Sequence, residues 1–311
     1  MAFYGKEIKI ALDIIKKALK ITEWFKTEGF QSFYKKDESP VTLADYASQI
    51  YIISELKDKF PEDRIIAEEE VSPLFDINVE NLIKKSFTSV NINNNLKFRD
   101  ILAYRGPNSK RKWTIDPIDG TKGFQEGLIY AIGLGLMIES KLTLSFIGIP
   151  NYNSKGRAIF FAEKHQGSKV IYGDGPKVPI KVSMNQEIKK SIMCRSLHYD
   201  KPWVLKFAKL TGIEKFIQID SMAKFCMIAD GTADIYLKPM SLKKSNSWDF
   251  LPGTLLVKEA GGVVTDLNGK ALSFKNEKCL ITAPGCIASN GQFHKQALSI
   301  IQKNKLIEES V

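Results

Sequence analysis

Apolar residues recur at Ile8, Leu12, Ile15 and Leu19, the spacing of one helical face, and Gly29 supplies a stop. A second face, Ala47, Ile50, Ile53, Leu56 and Phe60, predicts a helix that starts near Thr42 and ends at Pro61. The stretch Arg64-Ile65-Ile66-Ala67 reads as a short strand that runs into the acidic triplet Glu68-Glu69-Glu70. From Val71 to Lys112 the pattern loosens, and Asn91-Ile92-Asn93-Asn94-Asn95 reads as a loop. Strands are expected at Lys112 to Ile115, Ala131 to Ile138, Leu142 to Ile149 and Ala158 to Ala162. Their alternation and short turns favour antiparallel pairing. A second half begins near Ile180 and alternates helices with strands. It closes with a helix from Phe250 to Ala260 and a hairpin from Gly261 to Leu272, turned at Asn268-Gly269. No repeat or linker interrupts the chain, so two lobes sharing one core are expected.

Composition narrows the class. The 311 residues are 44% hydrophobic and 26% charged, which excludes disordered, fibrous and collagen-like chains. The apolar stretch Tyr130 to Ile138 has nine residues and stops at Glu139. A membrane span needs about 20, so a buried strand is expected and no membrane partner. Lys and Arg outnumber Asp and Glu by 45 to 35, a net charge of +10 that favours anionic partners. The lysines are scattered rather than gathered in a stripe, so a small phosphorylated molecule is expected rather than nucleic acid. Cys194, Cys226, Cys279 and Cys286 form no C-x-x-C pair and read as reduced thiols. With no secretory or transit pattern at either end, a cytoplasmic location is expected.

The candidate chemistry is acidic. In Trp113-Thr-Ile-Asp116-Pro117-Ile118-Asp119-Gly120-Thr121 a strand delivers Asp116 to its end, and Pro117 fixes the turn. Asp119 can project to the same side, Gly120 permits close backbone approach, and Thr121 offers a hydroxyl and an N–H. Neighbouring carboxylates repel unless a cation lies between them. Oxygen ligands favour Mg²⁺ or Ca²⁺ over zinc. The plainer account is an Asp-Pro turn followed by a helix cap. Plain roles also exist for Asp45 as the acidic member of a capping box with Thr42, for Glu68 as a solvated charge, and for Asp249 as a cap of the helix containing Pro252. All four acidic segments together, in this order, are hard to reach by chance.

These segments resemble the lithium-sensitive, magnesium-dependent phosphatases of the inositol monophosphatase superfamily, and within it the 3′(2′),5′-bisphosphate nucleotidases. The nucleotidase likeness lies in Ser39-Pro-Val-Thr-Leu-Ala-Asp-Tyr46, in Lys122-Gly123-Phe124 and in Asp220-Ser221-Met-Ala-Lys224-Phe225. It continues through Ala233-Asp-Ile-Tyr-Leu-Lys238, Trp248-Asp249 and Glu259-Ala-Gly-Gly-Val-Val-Thr-Asp266. The resemblance implies an α+β or α/β fold, a layered α–β–α–β–α sandwich of the inositol monophosphatase and sugar phosphatase type. It further implies an N-terminal lobe, 1–179, carrying the metal site and a C-terminal lobe, 180–311, carrying nucleotide-binding residues.

Carried over by position, Glu68, Asp116, the Ile118 carbonyl, Asp119 and Asp249 would hold two or three Mg²⁺ ions, with inhibition by Li⁺. Asp45 and Thr121 would orient the attacking water. Gly120, Thr121, His198, Ser221, Lys224, Lys238 and Asp249 would contact substrate, His198 by stacking on adenine. The implied substrate of a monomeric enzyme is adenosine 3′,5′-bisphosphate, with the sulfated nucleotide PAPS as a second. Lys238 stands where the family has Arg, Ala67 where it has Gly, and Phe250-Leu251 where a His-Ala type sequence is usual. These departures bear on substrate preference. An inositol polyphosphate 1-phosphatase, an inositol monophosphatase and a catalytically silent anion-binding protein remain as alternatives.

Overall fold

The structure is a computed structural model that describes residues 3–29, 31–35, 39–71, 77–92, 96–240, 245–275 and 285–306. Helix α1 (Gly5–Glu28) ends at Gly29. The short strands β1 (Ser32–Tyr34) and β2 (Pro40–Thr42) pair antiparallel and lead into α2 (Leu43–Lys59). Thr42 and Asp45 close the reciprocal capping box at the start of α2. Strand β3 (Arg64–Ala67) follows as its pattern predicts.

The loose stretch from Val71 to Lys112 holds two helices, α3 (Ile77–Ser89) and α4 (Phe98–Ala103). Buried Val79, Ile83, Ser86 and Phe87 make a narrow stripe on α3, too sparse to stand out among Asn and Lys. Cys279, the Asn93–Asn95 part of the expected loop and the C-terminal four residues lie outside the described residues. The three described cysteines are buried free thiols.

Next come β4 (Arg111–Asp119), the short α5 (Thr121–Gln125), β5 (Ala131–Ile138), β6 (Lys141–Ile149), β7 (Ala158–Glu163), β8 (Ser168–Tyr172) and β9 (Val178–Ile180). They form a seven-stranded sheet in the order β3-β4-β5-β6-β7-β8-β9, antiparallel except for the β3–β4 pair. The second half supplies β10 (Ile192–Arg195), α6 (Pro202–Thr211), β11 (Lys215–Gln218), α7 (Ala223–Ala229), β12 (Ile235–Pro239), α8 (Ser247–Glu259), β13 (Val263–Asp266), β14 (Gly285–Ser289) and α9 (His294–Lys303). Its sheet runs β11-β10-β12-β14-β13.

Two expectations change here. The hairpin at Asn268-Gly269 is a turn closed by Asp266, whose carboxylate accepts from the N–H groups of Asn268 and Lys270. The partner of β13 is β14, not the residues just past the turn. Helix α8 also begins three residues earlier than Phe250, so Asp249 lies inside the first turn and Pro252 beyond it.

Three cores separate the layers. One packs α1, α2 and α3 on a face of the seven-stranded sheet, with Phe25, Tyr51 and Trp113 fully buried. The second fills the space between the sheets, where α7 and α8 lie. The third covers the outer face of the five-stranded sheet with α6 and α9. The order is α–β–α–β–α, and the middle layer ties both sheets into one body. Among the described residues no helix is long and apolar enough to cross a membrane.

Candidate active site

The site grows out of a strand that does not end where its sequence suggests. β4 continues through Pro117 to Asp119, with a register shift in which Asp116 faces Gly133 and Asp119 faces Ala131. Three steps on β4 therefore oppose two on β5. In a regular strand, residues three apart point to opposite faces; the extra residue of the bulge returns both carboxylates to one side. The expected turn after Asp116 is thus a bulge, with the same consequence for the side chains.

Asp249 reaches them from the first turn of α8. That helix lies so close to the sheet that a Cβ on Gly135 would stand 2.2 Å from Leu251 Cδ2, and Ser145 anchors it by donating to the Pro252 carbonyl at 2.7 Å. Carboxylate oxygens of Asp116, Asp119 and Asp249 all lie within 4.8 Å of one another. Asp119 accepts from the Met222 N–H. Asp116 is buried, and its Oδ1 has no hydrogen-bond partner. Glu68 is brought beside them by its N–H bond to the Ile115 carbonyl, 3.3 Å, where β3 ends against β4.

Helix α2 backs the cluster with one polar face. Ser48 donates to the Pro117 carbonyl at 3.2 Å, and the Gln49 amide exchanges two bonds with the Glu69 backbone, 2.7 and 2.8 Å. The two oxygens of Asp45 have separate tasks. Oδ2 accepts the Thr42 N–H at 2.8 Å and hydroxyl at 2.6 Å, while Oδ1 faces the Thr121 hydroxyl at 3.3 Å. That hydroxyl also lies 3.1 Å from the Ile118 carbonyl. The capping role and the site role of Asp45 therefore coexist.

The electrostatics follow from crowding. Burial pushes the Asp45 carboxyl up to about 7, with Glu68 adding to the rise and the Thr42 bonds opposing it. Asp116 is raised further, by burial and then by Glu68, Asp119, Asp249 and Asp45. Burial lifts Asp249 to about 7 against the pull of Lys238, whose ammonium is 3.8 Å away. Asp119 is raised by burial despite Lys238 and Lys224. Two ammoniums face this group from the other wall. Burial lowers Lys224 to about 8, and its Nζ donates to the Ile219 carbonyl at 2.6 Å. Lys238 is also desolvated, yet Asp249 and Asp119 outweigh that and hold it charged.

These groups surround a cavity of 490 Å³. Glu68, Asp116, Ile118, Asp119, Gly120, Thr121 and Asp249 line it, together with Ser221, Lys224 and Lys238. Gly120 has φ of +89°, and a Cβ there would stand 2.9 Å from the Asp220 carbonyl, so only glycine fits the junction. Asp45 sits behind Thr121. His198 is not among the lining residues; Ser196 and Tyr199 from the same turn are. A second cavity of 390 Å³ adjoins, lined by Leu197, Asp220, Leu128 and Pro150 among others. Asp220 lines both.

Further groups join the site from outside the expected set. Lys35, on the β1–β2 hairpin, bonds Glu68 at 2.9 Å and Glu69 at 2.7 Å, and these two carboxylates outweigh its own desolvation to raise its pKa. Glu69 is buried and its carboxyl raised, first by burial and then by Glu68. The acidic triplet, read as a possible solvated run, thus holds one buried and one half-buried member. The local trace of the Glu69 contact is the polar pair Ser48-Gln49, buried in the middle of α2.

Against known proteins, the Inositol monophosphatase family matches residues 5–306. The chain is 31% identical to a 3′,5′-bisphosphate nucleotidase 2 of Arabidopsis thaliana, over 98% of each chain. It is 31% identical to a 3′(2′),5′-bisphosphate nucleotidase of Schizosaccharomyces pombe, over 94% of each. In three dimensions it superposes on an IMPase of Thermotoga maritima with a TM-score of 0.71, at 22% identity and covering 98% and 99% of the two chains.

Proposed function

The chain belongs to the inositol monophosphatase family, and from that premise we propose that it is a bisphosphate nucleotidase, hydrolysing the 3′-phosphate of adenosine 3′,5′-bisphosphate to leave AMP and phosphate. One observation carries the chemistry: three carboxylates from β4 and α8 converge within 4.8 Å, and one of their buried oxygens has no partner. A buried, unpartnered anionic oxygen is costly, and a cation removes the cost. The donor set is all oxygen, with no His or Cys, which fits Mg²⁺ and not zinc. The spread also suits oxygen ligands of one hard cation at distances of roughly 2.0–2.6 Å.

Asp116, Asp119, Asp249, Glu68 and the Ile118 carbonyl would hold the cations. Bound there, divalent ions would acidify the attacking water and neutralise charge developing on the leaving oxygen. The same oxygens would accept Li⁺, whose single charge would neutralise less, so inhibition by Li⁺ is expected.

The side chains perform the remaining work. Thr121 accepts a proton from the water at Oγ1 while its own passes to Asp45 Oδ1, the oxygen left free by the capping box. Water oxygen bonds to phosphorus, the bond to the 3′ ribose oxygen breaks, and that oxygen takes a proton from solvent. Gly120 and Thr121 offer backbone N–H groups to the phosphate. Lys224 and Lys238, across the cavity, take the second phosphate, which a monophosphate lacks. Ser221 and His198 contact the nucleoside. Lobe 1–179 thus supplies the carboxylates other than Asp249, and lobe 180–311 the nucleotide contacts. PAPS carries the same 3′-phosphate and is proposed as a second substrate.

The test is phosphate release from adenosine 3′,5′-bisphosphate and from inositol 1,4-bisphosphate, each with Mg²⁺ and with EDTA. The reading expects Mg²⁺-dependent turnover that is faster on the nucleotide. Faster turnover of the inositol compound would move the enzyme to a polyphosphate 1-phosphatase, and none on either would leave an anion-binding protein.

A further inference from the structure

His198 is held at both ring nitrogens by carboxylates from different parts of the fold. Its Nδ1 meets Asp220 Oδ2, and its Nε2 lies 3.1 Å from Glu126 Oε2. Two carboxylates, one at each ring nitrogen, fix the orientation of the ring. Asp220 also accepts the backbone N–H groups of Leu197 at 2.6 Å and His198 at 3.1 Å through its other oxygen. Glu126 is the residue that ends α5, the helix begun by Thr121, and its N–H returns to the Lys122 carbonyl at 3.1 Å. Glu126 therefore belongs to the segment that carries the phosphate-facing residues, while His198 and Asp220 belong to the five-stranded-sheet half.

What these bonds fix is the partition between two cavities. The turn from 196 to 200 gives Ser196 and Tyr199 to the larger cavity and Leu197 to the smaller. The Asp220 carbonyl presses on Gly120, and two residues on, the Met222 N–H bonds Asp119. The 219–222 turn is thus pinned to the acidic cluster on one side and, through His198, to the end of α5 on the other. Tyr199 is 58% exposed and follows wherever this turn goes.

We propose that Glu126, His198 and Asp220 form a clasp across the cleft that positions the 196–200 turn as the nucleoside-side wall of the site. Glu126 is a positioning residue: it lines neither cavity, yet it sets nucleotide affinity through His198. The proposal rests on the nucleotidase reading. It assigns His198 a bonding role that depends on Glu126, which stacking on a base through the ring face would not.

The test is a double-mutant cycle with Glu126→Gln and His198→Asn, read as KM and kcat for adenosine 3′,5′-bisphosphate and for 4-nitrophenyl phosphate, which has no nucleoside. Gln keeps the size of a half-exposed side chain, so folding is preserved. Glu126→Gln is expected to raise KM for the bisphosphate by roughly 3- to 10-fold, the worth of one charge-assisted bond, with kcat and 4-nitrophenyl phosphate turnover unchanged. In the His198→Asn background it should add nothing further. Additive effects, an unchanged KM in Glu126→Gln, or equal losses on both substrates would overturn the clasp. Wild-type turnover of the bisphosphate is measured alongside; its absence would instead count against the nucleotidase reading itself.

Discussion

On the wall built by β3, β4 and the first turn of α8, carboxylates face one another with few partners; on the opposite wall, built by the 219–224 turn and β12, the charges are ammoniums seated over aromatic rings. Lys224 Nζ lies 5.2 Å from the centroid of Tyr236 and Lys238 Nζ 4.4 Å from that of Phe250. The second arrangement is locally satisfied: Lys224 has its carbonyl, and each ring face offsets part of the desolvation. The first is not, since Asp116 Oδ1 is buried with no partner and its carboxyl is raised by burial and then by Glu68, Asp119, Asp249 and Asp45. The contrast separates two tasks. The acidic wall is incomplete without a cation and is the seat of the chemistry, while the basic wall, whose Lys238 is held charged by Asp249 and Asp119, is the seat of selectivity.

The contrast breaks most sharply if an acidic residue proves dispensable. Asp116→Asn is expected to lower phosphate release by about 10³-fold or more, as loss of a group that organises transition-state charge does. Circular dichroism should be unchanged. The neutral amide also removes repulsion, so the melting temperature without divalent ions should rise while Mg²⁺ no longer raises it. Retained turnover would end the assignment of the acidic wall.

Lys238→Met should raise KM for the bisphosphate by about tenfold, one charge-assisted contact, while kcat for 4-nitrophenyl phosphate changes little. A matching loss on both substrates would show the two walls to be one.

Stability against pH gives a smaller effect with a definite sign. Asp45 and Asp249 have folded-state values of about 7, above the ordinary 3.8 of an unfolded carboxyl. Between those values the folded chain binds more protons than the unfolded one, so without divalent ions stability increases as pH falls through 7 toward 4. It is lost as pH rises through 7. Thermal melts at pH 5.5 and 8 in EDTA check this; a higher melting temperature at pH 8 would contradict it.

The smallest effect belongs to Lys224, which burial lowers to about 8. Its charge is present below that value and fades above it, so kcat/KM for the bisphosphate should decline on the alkaline side, and Lys224→Met should remove that limb. A profile unchanged by the substitution would take Lys224 out of substrate binding.

How much of this was legible in the sequence depended on distance along the chain. β3 and the α2 capping box are local patterns, and both occur where Arg64 to Ala67 and Thr42 to Asp45 place them. The motif around Asp116 pointed to the acidic wall but not to the bulge, because the extra residue is defined by the register against β5, which no single strand encodes. Lys35 was invisible for a similar reason: its partners lie 33 and 34 residues away. The clasp joins Glu126 to His198 across two sheets, and an exposed Glu at a helix end carries no signal of that use. The pairing of β13 with β14 overrode a strong Asn-Gly turn signal because tertiary context chose a later partner for the strand.

Crystals grown with Mn²⁺ and measured at a wavelength where manganese scatters anomalously test the central claim most directly. The account predicts an anomalous peak about 2.0–2.6 Å from oxygens of Asp116, Asp119 and Asp249, and its loss in Asp116→Asn. A peak elsewhere on the molecule, or none among these carboxylates when Mn²⁺ is abundant, would contradict it.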